Sequence, residues 1–202
     1  MTILAFETSH SAASVALYID NTIYEKKISS DKRHEETVMP AVAELMCEHG
    51  LRPSDLDIVA VDIGPGSFTG IRIGICHANA IADAADIPCV GVCSLEAMAF
   101  PYKGKKMIST VIDAGNGNCY GAVFDKDLKP VYVPSADSLD SFMLFSEKLN
   151  PEICVKDTEG FLPSAYSVAK IVSLLDQTLI DRKMRAQPMY LRPSQAERKY
   201  LG

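Results

Sequence analysis

No run of the 202 residues approaches the ~20 consecutive apolar positions of a membrane span. The opening Met1-Thr2-Ile3-Leu4 also lacks the basic residues of a signal peptide. The expected location is therefore the cytosol, with no membrane association. Six cysteines stand apart at Cys47, Cys76, Cys89, Cys93, Cys119 and Cys154, without a Cys-x-x-Cys pair, and the four histidines form no dense cluster. Neither a disulfide framework nor a zinc-ligand pattern is present, and the thiols read as reduced and structural. Positive charge is scarce as well. The formal net charge is −6, so the surface as a whole does not attract phosphate backbones.

What is present is ordinary for a folded protein. Apolar residues make up 48% and charged residues 23%, which suits one domain or two small lobes. The chain opens with strands at Thr2 to Glu7, Ala12 to Ile19 and Thr22 to Ser29, the last two joined by the turn Asp20-Asn21. Helical spacing follows from His34 to His49, with Val38, Val42 and Leu45 on one face; Pro40 implies a kink or a late start. His34, ahead of Glu35-Glu36, reads as a solvated helix start. Asp57 to Ile63 is a fourth strand, Phe68 to Ala85 a helix, and Pro88 to Val92 a short strand.

After Lys103-Gly104-Lys105-Lys106 the order begins again. Met107 to Asp113 is a strand ending in an acid, as Glu7 ends the first; Asn118 to Phe124 and Lys129 to Val133 follow it. Superposing the two starts puts Glu7 on Asp113 and Ser14-Val15-Ala16-Leu17 on Tyr120-Gly121-Ala122-Val123. A helix near Ser138 to Leu149, a strand at Ile153 to Lys156 and a helix near Ser164 to Asp181 complete the second copy. The expected fold is α/β, actin-like or ribonuclease-H-like. Its two duplicated lobes, the second one short, span residues 1–103 and 104–202.

The most informative stretch is Gly64-Pro65-Gly66-Ser67-Phe68-Thr69-Gly70-Ile71-Arg72-Ile73-Gly74. It lacks the lysine of a phosphate-binding P-loop, and its glycines miss the dinucleotide spacing by one residue. It reads as a strand turning tightly into a helix, with glycines permitting close backbone approach. Together with the opening ILAFETS and SVAL, with RHEETVMP, VIDAGNGNCYGAVF and the closing PMYLRPSQAE, this run resembles the TsaB family, also called YeaZ.

The resemblance implies a cytosolic bacterial protein that works with the catalytic paralogue TsaD and the ATPase TsaE. Those proteins install threonylcarbamoyl on the adenosine following the anticodon of tRNAs, at position 37. It implies a non-catalytic subunit that binds and activates TsaD, forms a homodimer when alone, and meets tRNA only through the complex. TsaD-type relatives carry a His-x-x-x-His metal pair whose positions fall here on Ser94 and Met98, beside Cys93 and Glu96. A hydroxyl and a thioether are poor substitutes for imidazole, so no metal and no catalytic residue are expected.

Actin-like ATPases place an acid at the end of each lobe's first strand. Glu7, Thr8 and Ser9, with Asp113 and Gly115, stand in those places and mark a vestigial nucleotide cleft, with weak ATP or ADP binding in the complex at most. Glu7 replaces the family's usual Asp, and Gly115 its usual Arg. The rival reading is an actin-like kinase or ATPase for a small molecule, with its own nucleotide site.

Two helices suggest where a partner binds. At ~100° per residue, Gly70, Ile71, Gly74, Ile75, Ala78 and Ala82 share one apolar arc, and Ile73, Ala80 and Ala84 extend the apolar surface on the other side. The helix before it has Met39, Ala43, Met46 and Cys47 to spare. These residues are the expected interface with TsaD. Arg182, Lys183, Arg185, Arg192, Arg198 and Lys199 make the C-terminal end basic and read as a solvated tail.

Overall fold

A computed structural model of the protein describes residues 1–28 and 34–192. The side chains of His34, Arg198 and Lys199 lie outside what is described. The first three strands, β1 (Thr2–Glu7), β2 (Ala13–Ile19) and β3 (Thr22–Ile28), form an antiparallel meander. Helix α1 (His34–Glu48) leads to β4 (Ile58–Asp62), α2 (Phe68–Ala85) and β5 (Cys89–Val92), giving one sheet of order β3-β2-β1-β4-β5. Helix α1 runs through Pro40, an exposed position.

Helix α3 (Ser94–Ala99) joins the two halves. Strands β6 (Met107–Gly115), β7 (Asn118–Asp125) and β8 (Pro130–Ser138) repeat the meander, α4 (Leu139–Lys148) follows, and β9 (Ile153–Lys156) pairs parallel to β6. The second sheet, β8-β7-β6-β9, is thus the first without its last strand. The duplication is real, but its register differs by one residue from the expected one. Glu7 pairs with Ser14, whereas Asp113 pairs with Cys119, so Ser14 corresponds to Cys119 and not to Tyr120. The turn after β6 is one residue shorter than the turn after β1.

Alternation along the strands sorts the core into layers. Leu4, Phe6, Val15, Leu17, Val59 and Val61 face α1 and α2, while Ile3, Ala5, Ala16, Ile58 and Ala60 face the other way. Onto that second face packs α5 (Ala165–Ser173), through Ala165, Val168, Ala169 and Val172. The division at residues 103 and 104 is corrected by this packing. The chain builds its second sheet from residues 107–156 and then returns to the first. The i, i+3, i+4, i+7 apolar stripe of α5 finds a wide unshielded face there.

The segment beyond α5 stays with the first sheet. The Cys89 amide donates to the Met184 carbonyl (3.0 Å), and Asn79 and Ala186 exchange two hydrogen bonds of 3.0 Å. Arg182 pairs with Asp86 (2.7 Å) and Arg185 with Asp83 (2.6 Å). The basic end is therefore a strap along α2 as far as residue 192, not a solvated tail.

Helix α2 starts hard against the end of β1. The Thr8 hydroxyl donates to the Gly70 carbonyl (2.7 Å), and a Cβ at Gly70 or Gly74 would overlap the Thr8 carbonyl or hydroxyl oxygen. The glycine groove expected to receive a partner helix is thus filled by Thr8 of the same chain. Ile71, Ile75, Ala78 and Ala82 are also buried against this chain's own sheet, as is Met46 of α1. A helical wheel identifies an apolar arc but not what covers it. Gly70→Ala is expected to lower unfolding stability by about 1–3 kcal/mol through overpacking against rigid backbone. Denaturant midpoints would record it, and an unchanged midpoint would contradict this packing.

Candidate functional site

Parallel pairing sets Phe6 beside Val61, so Glu7 and Asp62, the last residues of β1 and β4, end up side by side. Both are fully buried. Two carboxylates in a dry site repel and are each desolvated, and the local sequence is arranged around that difficulty. Glu7 Oε1 accepts from the Ser9 amide and the Ser9 hydroxyl, both at 2.7 Å. Asp62 Oδ1 accepts from the Gly64 amide (2.7 Å) and the Ser94 hydroxyl (2.5 Å). His10 Nδ1 lies 2.8 Å from the Ser9 hydroxyl and 3.7 Å from Glu7 Oε1. Glu7 Oε2 has no hydrogen-bond partner.

The protons can be placed from these contacts. Ser9 has one hydroxyl proton, and its contact with Glu7 (2.7 Å) is shorter than that with Asp62 Oδ2 (3.3 Å). A protonated Asp62 can then donate back to the Ser9 oxygen. Burial, followed by the charge of Glu7, pushes the Asp62 carboxyl up to about 7, against the hydrogen bonds from Ser94 and Gly64. Burial alone would lower His10. The hydrogen bond and charge of Glu7, together with Asp62 and Asp157, outweigh it and raise His10 above its ordinary value.

This network backs one wall of a cleft of about 320 Å³ between the two sheets. Ser9, His10, Gly66 and Ser67 line the first-lobe side; Asp113, Tyr120 and Asp157 line the other. The Asp113 amide donates to both Asp157 carboxylate oxygens (3.1 Å each), and Asp113 Oδ1 accepts from the Gly115 amide (2.8 Å). Of the expected cleft residues, Ser9 and Asp113 do face each other there. Glu7 and Thr8 are buried behind the wall, and Gly115 sits in the turn beyond it, at φ +75°.

His10, Asp62, Ser94 and Asp157 were not anticipated in the cluster. Asp62 had a signal equal to that of Glu7: an acid ending a buried strand before a glycine turn. Ser94, read only as an empty metal position, is fully buried on Asp62, and Met98 is in the core. Cys93 and Glu96 are held well up by burial. Among the described residues, no three His, Cys, Asp or Glu side chains are placed to hold a metal ion.

Comparison with known proteins bears on this geometry. A family model described as TsaD, tRNA N6-adenosine threonylcarbamoyltransferase, matches residues 22–185. The tRNA threonylcarbamoyladenosine biosynthesis protein TsaB of Escherichia coli is 35% identical over 130 residues, 63% of this chain and 56% of that protein. The TsaB of Bacillus subtilis is 38% identical over 128 residues, 61% and 55%. The match thus spans little more than half the length of these relatives. An uncharacterized protein of Mycobacterium tuberculosis is 30% identical over 208 residues, 97% of this chain and 94% of its own. Two solved structures share the fold at 22% identity. One is described as an uncharacterized protein with similarity to peptidase YEAZ from Pseudomonas aeruginosa (TM-score 0.80, 95% of this chain and 99% of that one). The other is YeaZ from Pseudomonas aeruginosa (TM-score 0.72, 85% and 90%).

The raised Asp62 and His10 set the sign of a pH dependence. Folding favours the protonated form of both. The stability from Asp62 is complete below the ordinary carboxylate range, near 4, and is lost as pH rises through about 7. That from His10 is complete below its ordinary value, near 6.5, and is lost above it. Wild-type protein should therefore melt at a lower temperature at pH 8 than at pH 5.5. Asp62→Asn keeps the acceptor for Ser94 and Gly64 and adds a fixed donor, so it should flatten the dependence and melt about 2–4 °C above wild type at pH 8. Calorimetry across this range is the check, and parallel curves for the two proteins would contradict the assignment.

Proposed function

The chain belongs to the TsaB/YeaZ family, and from that premise we propose that it serves threonylcarbamoyladenosine formation on tRNA as a non-catalytic, cytoplasmic subunit. Its role is to bind and activate a TsaD-type partner, alongside TsaE. The observation that carries the reading is Ser94. It stands where relatives with transfer chemistry place the first histidine of a metal pair, and its hydroxyl is committed to a buried carboxyl 2.5 Å away. Met98, in the second such position, is packed in the core.

The partner docks on the outward faces of α1 and α2. Met39, Ala43 and Cys47 are exposed on one helix, and Arg72, Cys76, Ala80 and Ala84 on the other, with Ile73, His77 and Ile81 half-buried between them. Met39 and Ala43 keep their expected role, and Ile73, Ala80 and Ala84 replace the inward arc. In isolation the same ridge pairs two copies of the chain, and tRNA is met through the complex.

Reconstitution with tRNA, threonine, bicarbonate, ATP and TsaE tests the function. Modified adenosine should form when this chain and TsaD are both present, and fail when either is left out. Modification without TsaD would overturn the reading. Elemental analysis should find well under one zinc or iron per chain. About one metal per chain, lost on Glu96→Ala, would contradict the assignment of Ser94 and Met98.

Ala43→Glu with Ala80→Glu tests the ridge at exposed positions where the fold has nothing to lose. Each charge desolvated at an interface costs at least 1–2 kcal/mol, and ~1.4 kcal/mol is tenfold in affinity. Calorimetry should record TsaD binding weakened by at least about tenfold in a variant with unchanged circular dichroism. Wild-type affinity would place the interface elsewhere.

A further inference from the structure

The two lobes are unequally clothed. In the first, α1 and α2 share the outer face of the sheet. In the second, α4 has the corresponding face to itself, packed through Phe142 on Val111, Cys119 and Val123. Helix α5 follows β9 as α2 follows β4, yet it lies on the first sheet. A pocket of about 360 Å³ is open beside α4 on that outer face. Its floor includes Val111, Leu139 and Met143, and its rim carries Asp113, Lys156 and Asp157.

The chain itself arrives at this place. The Met189 amide donates to the Ile63 carbonyl (2.8 Å), and Tyr190 stacks on Phe68 at 4.5 Å and accepts from Arg72 Nε (2.7 Å). Both contacts lie at the start of α2, beside the interlobe cleft. Two residues later the path has crossed to the second lobe. Burial pushes the Cys119 thiol in the pocket wall up to about 11, and the Arg192 guanidinium is near enough to oppose it.

We propose that residues 193–202, Pro-Ser-Gln-Ala-Glu-Arg-Lys-Tyr-Leu-Gly, dock in this pocket. Tyr200 and Leu201 lie on the apolar floor, Arg198 and Lys199 against Asp113 and Asp157, and Glu197 against Lys156. The charges match in number and sign: two carboxylates and one ammonium on the rim, two cations and one carboxylate in the segment. Ten residues reach up to about 33 Å, more than the pocket requires. Asp113 and Asp157 also line the interlobe cleft, so the docked segment and any cleft ligand compete for the same two side chains. The inference is independent of the proposed role in tRNA modification.

Hydrogen–deuterium exchange on the full chain tests it. Arg198→Glu with Lys199→Glu and Tyr200→Ser should speed exchange of amides 113–119 and 139–143 by at least about tenfold, leaving β1 and β4 unchanged. Adding Asp113→Arg to the two charge reversals, with Tyr200 retained, should restore slow exchange by re-pairing the charges. Wild-type exchange at 113–119 in the triple variant would overturn the proposal. So would acceleration that spreads to β1 and β4, which would mean general loosening, or an Asp113→Arg addition that restores nothing.

Discussion

Two buried carboxyls at the ends of neighbouring parallel strands are the constraint on which the first half of the structure depends. Glu7 and Asp62 are brought together by strand register and cannot both be charged without strong stabilisation. The chain around them supplies donors from every side: Ser9 from the turn after β1, Gly64 from the turn after β4, and Ser94 from the start of α3. Those donors reach only if the Thr8-Ser9 backbone lies directly against the first turns of α2, and that requires glycine at Gly70 and Gly74. The conspicuous glycine run and the inconspicuous serines are parts of one arrangement.

Much of the fold was legible in the sequence. Strand periodicity placed β1, β4 and β9 within a residue or so, and the acid ending Met107 to Asp113 revealed the duplication. What was not legible is whatever depends on what covers an apolar face. The arc of Gly70, Ile71, Gly74, Ile75, Ala78 and Ala82 was identified as apolar, but the wheel gave no reason to prefer this chain's sheet over a partner's. The return of α5 to the first sheet was hidden in the same way, because its stripe would suit either sheet. The offset between Ser14 and Tyr120 arose from a turn shortened by one residue, which a constant spacing cannot detect.

The site was half legible. Strand-end acids drew notice at Glu7 and Asp113 because they repeat between lobes. Asp62 has no partner in the repeat and passed unnoticed, although it makes the closer cluster with Glu7. Burial then separates the two acids that had been treated as equivalents. Glu7 is sealed inside the protein, and Asp113 remains at the cleft surface. The first-lobe acid has become part of an internal lock, so the account assigns this chain surface and shape in its complex, and no chemistry of its own.

Combining Glu7→Gln with Asp62→Asn removes both charges while keeping side-chain shape and hydrogen-bonding capacity. In a reconstituted modification assay with TsaD and TsaE, the folded, TsaD-binding double variant should support threonylcarbamoyladenosine formation at the wild-type rate. A fall of tenfold or more in that rate, with folding and TsaD affinity intact, would show that the buried acids take part in the reaction and would contradict the account.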